Sequence, residues 1–422
     1  MFKTETCTRK LRATSSRSAM VRYGLSLSLS VYLLTFVISA GADAPVEKAL
    51  FTAVPTAGVD LDAKQALILD RIKHCPATVA SHVVRLNPDA AADTTAAAVL
   101  SMPLPSNRAA KFAAKWSRGT KDAWIGVAKG DVPGQGMVIS KTDRDTVGLI
   151  YSGDTVYSVE PLGKGLQVIS QLDQRKFKDD HPQAFKKIEK AATPKSDPGP
   201  AATANAPVTI RVLVAYTPKV ESLQASMQAL ISGAVDIANT SYQNSNINIR
   251  LALAYSGLFN YTESGTHEAD LDKFRTDSGI AQLRQANTAD VCVLLIDNDQ
   301  FCGLAAAILA EKDTAFAVVH HGCAVGNISF AHEIGHLMGA RHNLEVDPTI
   351  DPSYPWNHGF LSSQNWRSIM AYPTAAQPIR VPYWSNPDVK YGTPPIPTGT
   401  TDKQNNALML NTSANKISQF HK

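Results

Sequence analysis

Three histidines and a glutamate fall within the eleven residues 332–342, and this spacing constrains the chain more than any other feature of its sequence. A helix places residues four apart on one face, so His332 and His336 can present ring nitrogens to a single ion. His342 would point elsewhere unless Gly339 adopts the positive φ that ends a helix and turns the chain back. The segment therefore predicts a helix, a glycine turn and three imidazoles that meet at one metal.

This ligand set indicates a catalytic zinc ion. Three protein ligands leave a fourth position for water, and zinc lowers the pKa of such a water to about 7. Glu333 stands beside the first ligand and can accept a proton from that water, then pass it to a leaving amine. A surface helix with two histidines is the alternative, but the added glycine and third histidine disfavour it. We expect one zinc ion, and nothing in the sequence indicates structural calcium.

A methionine in a tight turn follows this segment, in the residues Ser368-Ile-Met370-Ala-Tyr372 that precede Pro373. Such a turn is the second signature of the metzincins. With both features and the stretch 380–387, the chain resembles reprolysin-like metzincin zinc endopeptidases, and its motif order is similar to that of the bacterial peptidyl-Asp metalloendopeptidases. The resemblance implies an α/β catalytic domain with a twisted mixed sheet, long helices, a zinc helix and a Met-turn.

The resemblance also implies roles for residues around the metal. Met370 should pack beneath the ion without binding it. Tyr372 is similar to the tyrosine that some metzincins use as an extra ligand or oxyanion donor, although a tyrosine that merely packs in the turn is the alternative. Asn343 departs from the pattern, because relatives most often have aspartate directly after the third histidine. The change removes a charge beneath the site but touches no ligand.

Substrate preference is expected from the segment after the Met-turn. The peptidase resemblance implies protein or peptide substrates, and the bacterial relatives prefer an acidic residue on the carboxyl side of the cut. A cationic pocket residue would explain this, and Arg380 and Arg367 are the candidates. A structural ion pair is the alternative for each arginine. The rival interpretation of the whole chain is an inactive metzincin that serves as a secreted binding or toxin module.

The chain has 422 residues, enough for two hydrophobic cores. A stretch rich in alanine, proline and small polar residues divides it, because such residues cannot help to form a core. We predict a signal peptide at 1–42, a mostly β propeptide module at 43–190, a linker at 191–206 and the catalytic domain at 207–422. The propeptide would make the enzyme a zymogen.

Export is predicted from the N-terminus. Basic residues precede an apolar run from Leu25 to Ile38, and small residues suited to cleavage after Ala42 follow it. A signal anchor is the alternative, but the run is short for a membrane span. The net charge of +4 comes without a basic stripe, which excludes nucleic-acid binding. We expect a secreted or periplasmic monomer without stable membrane association.

The cysteines suggest one disulfide and one thiol of interest. Cys302 and Cys323 flank a short excursion directly before the zinc helix, and closing that loop would stabilise the fold by roughly 3 kcal/mol. Cys75 follows His74 and raises the idea of a thiolate that holds the zymogen latent, although no full switch motif surrounds it. Cys292 lies in an apolar run and fits a buried strand thiol.

Hydrophobic periodicity in the C-terminal region alternates between strand and helix, the order of a layered α/β domain. The predicted elements are strand 208–216, helix 219–239, strand 247–254, a helical stretch at 270–287, strands 290–296 and 315–319, and a final helix at 402–420.

Overall fold

A computed structural model describes residues 47–55, 59–92, 98–118, 124–129, 136–142, 144–180, 206–373 and 378–422. The predicted signal peptide and most of the predicted linker lie outside the described residues. None of the described helices combines the length and the apolar character that a membrane crossing requires.

The N-terminal part forms a large sheet with two short helices. Its strands are Glu47–Ala49 (β1), Phe51–Ala53 (β2), Thr78–Leu86 (β3), Ala98–Leu104 (β4), Arg108–Arg118 (β5), Trp124–Lys129 (β6), Gly136–Lys141 (β7), Thr146–Ser152 (β8), Thr155–Gly163 (β9) and Leu166–Leu172 (β10), and its helices are Ala63–His74 (α1) and Pro88–Ala92 (α2). The ten strands are ordered β1-β4-β5-β6-β7-β8-β9-β10-β3-β2. Neighbours are antiparallel except β1 and β4. A 3-10 turn, Gln174–Lys176, follows β10.

Short turns and alternating apolar residues explain this sheet. Gly153 takes φ +61° between β8 and β9. Two-residue hairpin turns require such a positive φ, and glycine is favoured there for that reason. Along β7, Ile139 packs with one buried cluster and Val138 with another, because successive side chains of a strand point to opposite faces. The centre of the sheet is therefore covered on both sides.

The C-terminal part is an α/β layer. Its strands are Val208–Tyr216 (β11), Ile249–Leu258 (β12), Val291–Ile296 (β13), Gly303–Ala305 (β14) and Phe316–His320 (β15), and its helices are Pro218–Leu223 (α3), Met227–Asn244 (α4), His267–Thr276 (α5), Ser278–Ala286 (α6), Ser329–Leu337 (α7) and Asn406–Ile417 (α8). The sheet order is β12-β11-β13-β15-β14, parallel except for the edge strand β14. Two short ladders pair Trp366–Arg367 (β16) with Ile379–Arg380 (β17), and Lys390–Tyr391 (β18) with Ile396–Pro397 (β19).

Two predicted helices are each divided into two by a capping residue. The helix predicted at 219–239 is wrong as a single element, because Ser226 starts α4 by accepting the N–H of Ala229 at 3.1 Å. The stretch at 270–287 breaks at Asp277, which accepts the N–H groups of Gly279 and Ile280. Periodicity continued across both breaks, so it could not reveal them.

Helix α4 joins the two sheets. It packs on β7 and β8, and the Ser140 hydroxyl donates to the Asp236 carboxylate at 2.8 Å in the buried contact. A Cβ at Gly233 would lie 2.5 Å from Val147, so a glycine allows the helix to approach the strand closely. Apolar residues of both sheets share one core cluster. The described N-terminal and C-terminal parts therefore belong to one compact unit, which extends over 45–422.

Candidate active site

The metal segment folds as its spacing predicts. Helix α7 carries His332 and His336 on one face and ends at Leu337. Gly339 takes φ +95°, a left-handed conformation that glycine adopts without strain. A Cβ there would also meet Met409 at 2.5 Å. The turn brings His342 back to the other two imidazoles.

The three Nε2 atoms converge on one point. They lie 3.0 to 3.2 Å from one another, and all three rings are buried. The Nδ1 atom of His332 lies 3.0 Å from the Ile369 carbonyl, and that of His336 lies 2.8 Å from the Ala340 carbonyl. Because a carbonyl only accepts, these two Nδ1 atoms carry the hydrogens and both Nε2 lone pairs face inward.

This donor set fits a metal ion. Inward lone pairs in a buried site repel one another unless a cation lies between them. A tetrahedral ion with metal–nitrogen distances of about 2.0–2.1 Å holds its ligands roughly 3.3–3.4 Å apart, close to the observed separations. Burial, followed by the charge of Arg380, lowers the pKa of His332, so this imidazole is neutral as a ligand must be.

Glu333 lies beside the imidazoles in a space that a glycine keeps open. The carboxylate is fully buried, and a ligand atom of it lies within 4.8 Å of those of His332 and Asp180. Gly303 on β14 stands so close that a Cβ there would lie 2.5 Å from Oε1 of Glu333. Gly303 could not be predicted from the sequence, because only the packing of the edge strand on α7 shows the need for a glycine.

Met370 packs against helix α7 at Gly335. Its Sδ lies 3.0 Å from where a Cβ of Gly335 would be, and Trp384 fills the adjoining space. Met370 and Trp384 are fully buried. The missing side chain at Gly335 thus lets the turn at Met370 pack closely against the helix that carries His332 and His336.

Asn343 connects the third ligand to the Met-turn. Its Oδ1 accepts the backbone N–H of Tyr372 at 2.8 Å, and its Nδ2 donates to Glu345 at 2.8 Å. An amide oxygen accepts this bond as a carboxylate would, so the missing charge does not remove the connection. The second bond needs a donor, which an aspartate would lack.

Tyr372 lies beside the imidazoles with its hydroxyl engaged. Its ring stands edge-on to His342, with 4.3 Å between the ring centroids. The hydroxyl donates to the backbone carbonyl of Asp180. The structure therefore brings the predicted tyrosine to the site, where it contacts a residue from the end of the described N-terminal part.

Arg380 is also at the site, and its partner is again Asp180. Both terminal nitrogens of the guanidinium donate to Oδ2 of Asp180 at 3.1 Å, and one also donates to the Asn327 carbonyl at 2.7 Å. Both side chains are fully buried. Oδ2 lies 3.9 Å from Nε2 of His332. Asp180 was not among the predicted site residues, and its only signal in the sequence is an acidic pair, residues 179 and 180, near the end of the predicted β module.

Arg367, the other predicted pocket residue, is bound to main-chain groups. Its Nε donates to the Pro378 carbonyl at 3.2 Å, and a terminal nitrogen donates to the Ala371 carbonyl. The side chain is buried beside β17, the strand that carries Arg380. These contacts hold the Met-turn through main-chain carbonyls, and the pocket role of Arg367 stays a prediction.

Among the described residues, two cysteines form a disulfide and two are free thiols. Cys302 and Cys323 form the predicted disulfide, with Cα atoms 5.4 Å apart. Cys292 is a buried thiol whose pKa burial raises to about 12. Cys75 lines a cavity beside His320 and is not among the described groups whose ligand atoms gather at the three imidazoles. The latency role of Cys75 stays a prediction, since no contact between this thiol and the three imidazoles is described.

The chain is similar to known metallopeptidases. A reprolysin-type model of metallo-peptidase family M12 matches residues 206–385. A peptidyl-Asp metalloendopeptidase of Xanthomonas campestris pv. campestris is 35% identical over 368 residues, which cover 82% of this chain and 87% of the relative. One of Stenotrophomonas maltophilia is 38% identical over 296 residues, 67% of this chain and 70% of the relative. The crystal structure of metalloproteinase-II from Bacteroides fragilis covers 70% of this chain and 90% of its own, with 12% identity and a TM-score of 0.42.

Proposed function

This chain belongs to the reprolysin-like metallopeptidases of family M12 and is a metalloendopeptidase that acts on proteins or peptides, and we propose that it is a zinc enzyme that cuts before aspartate. The convergence of three Nε2 atoms beside Glu333 carries the proposal. His332, His336 and His342 would hold the ion. Bound zinc supplies a Lewis acid and lowers the pKa of a water molecule to about 7.

The residues around the metal would then carry out the proton transfer and contact the substrate carbonyl. Glu333 would accept a proton from the attacking water and return it to the leaving amine, so that one carboxylate serves as base and then as acid. Gly303 leaves open the space that this carboxylate occupies. The Tyr372 hydroxyl, already a donor at the site, would donate to the substrate carbonyl oxygen as charge develops on it.

We propose Arg380 as the residue that selects an acidic side chain. Its guanidinium is buried and holds a carboxylate with two donors in the structure, and this geometry suits aspartate. The names of the relatives, peptidyl-Asp metalloendopeptidase, agree with that preference. Arg367 lacks this arrangement because its donors are bound to main-chain carbonyls.

Digestion of a denatured protein, with every new terminus sequenced, tests the proposal. Internal cuts before aspartate, abolished by a chelator and restored by zinc, are the expected result. Arg380→Gln should reduce the preference for aspartate over asparagine by about 10²-fold, since loss of one partner of a buried charge pair costs roughly 2–5 kcal/mol. Cuts without any acidic preference would contradict the proposed role of Arg380, and removal of terminal residues alone would contradict the endopeptidase assignment.

We further propose that residues 1–42 direct export and that the N-terminal β module is a propeptide. The charged and apolar order of the N-terminus supports the first statement. The buried contacts of Asp180 with the candidate active site support the second. Terminal sequencing of the protein from culture medium tests both, with the expectation of a precursor that starts after Ala42 and a mature form that lacks the β module.

A further inference from the structure

One short segment of the N-terminal part, residues 172–180, lies across the candidate active site. The backbone N–H of Cys302 donates to the Asp179 carbonyl at 3.1 Å. Gln174 donates to the Gly326 carbonyl at 3.3 Å and accepts the Arg380 backbone N–H at 2.7 Å. A Cβ at Gly326 would lie 3.1 Å from Phe177, so the glycine permits close packing. These contacts hold the segment on the loops before and after the zinc helix.

The segment ends with a carboxylate at the metal ligands. Asp180 is fully buried, its Oδ2 lies 3.9 Å from Nε2 of His332, and a ligand atom of it lies within 4.8 Å of those of His332 and Glu333. Its Oδ1 is buried and has no hydrogen-bond partner among the described residues. A buried carboxylate with one unpartnered oxygen is costly, and a cation held by the imidazoles would offset part of this cost.

We propose that Asp180 keeps this chain latent by placing its carboxylate at the metal, where Arg380 holds it. The inference rests on the proposed function of Arg380 as the receptor for an acidic substrate residue. One arginine then serves both states: it binds Asp180 in the uncut chain and the aspartate of a substrate after Asp180 has left. The side-chain carboxylate of Asp180 lies beside His332, and its backbone carbonyl accepts the Tyr372 hydroxyl, so the segment occupies both the metal side and the tyrosine of the site.

The rate of zinc release to a chelator tests this contact without measuring catalysis. The full chain is used in a Glu333→Gln background, so that it cannot process itself. Asp180→Asn should release zinc at least about tenfold faster, because the ion loses a neighbouring negative charge and its cover. The matched control is Asp179→Asn, at an exposed neighbouring acid that is not among the described groups whose ligand atoms gather at the imidazoles. Its release rate should stay within about twofold.

A second variant covers failure to fold. Asp180→Asn leaves the Arg380 charge buried without its partner, whereas Asp180→Asn with Arg380→Gln leaves neither charge. The double variant should release zinc as fast as the single one. Release at the original rate in both variants would overturn the proposal, and so would equally fast release from Asp179→Asn. In cobalt-loaded protein, the visible absorption bands should shift on Asp180→Asn, because they respond to the charges and ligands around the ion.

The outcomes separate this inference from the proposed function. Proteolysis before aspartate together with unchanged zinc release would leave the enzyme assignment standing and remove the latency role of Asp180. Faster zinc release together with no preference for aspartate would keep the latency role of Asp180 and remove the proposed role of Arg380 in substrate selection. In the active background, Asp180→Asn should also shorten the lag before proteolysis appears, whereas Asp179→Asn should not.

Discussion

The metal side and the acid side of this site are assembled from very different distances along the chain. The three imidazoles lie within residues 332–342 and meet through one helix and one glycine turn. Arg380 and Asp180 meet from 200 positions apart, and Tyr372 reaches Asp180 from 192. A local motif can retain its chemistry wherever the fold presents it, whereas a distant pair can be separated when the chain is cut. A cut between the two parts of the chain would therefore leave the metal side intact and could separate the acid side.

The largest expected effect tests whether the metal side carries the chemistry. Glu333→Gln should reduce kcat/KM by about 10²–10⁴-fold, since an amide cannot accept the proton. Zinc content, measured by atomic absorption, should remain one ion per chain because no ligand changes. Glu268→Gln, on α5, is the control and should leave kcat/KM unchanged. Residual activity within tenfold of the original would place the base on another residue and break the comparison.

The disulfide between Cys302 and Cys323 lies next to both the metal side and the acid side of the site. Cys302 precedes Gly303, which borders Glu333, and its backbone N–H binds the segment that ends at Asp180. Replacing both cysteines with serine should lower the free energy of unfolding by roughly 3 kcal/mol, because the closed loop restricts the unfolded chain. Denaturant unfolding measures this loss. A change below about 1 kcal/mol would show that the loop between Cys302 and Cys323 is already restricted in the unfolded chain.

A smaller change tests the space around the base. Gly303→Ala should reduce kcat by about 10²-fold while zinc content stays unchanged, because its Cβ would stand 2.5 Å from Oε1 and displace the carboxylate of Glu333. Gly279→Ala, on α6, is the matched control, since its Cβ would meet only Asp277, at 3.1 Å. Unchanged kcat in the first variant would mean that Glu333 works from a different position.

The smallest expected effect concerns the connection beneath the third ligand. Asn343→Asp keeps the acceptor for the Tyr372 N–H but places a carboxylate against Glu345, so the free energy of unfolding should fall by about 1–2 kcal/mol at pH 7. Adding Glu345→Gln supplies a donor and should recover most of the loss. If the second change brings no recovery, the contact between residues 343 and 345 is not the source of the loss.

The reach of the sequence can be judged from particular residues. The helix, the turn at Gly339 and the fully apolar strand β13 follow from local spacing and composition, and the structure has each of them. Cys75 shows the opposite case. Cys75 was a candidate for latency because thiolates bind zinc, yet in the structure an aspartate, Asp180, lies beside His332. Nothing in local periodicity distinguishes Asp180 from the exposed acid beside it.

The sequence by itself determined the chemistry of the metal side, because the ligand spacing of a helix and the freedom of a glycine act over a few residues. The tertiary structure decided what faces that metal. Helix α4 packs the N-terminal sheet onto the C-terminal layer and so delivers Asp180 to Arg380. Such a meeting depends on packing summed over two sheets, and no single stretch of the sequence contains it.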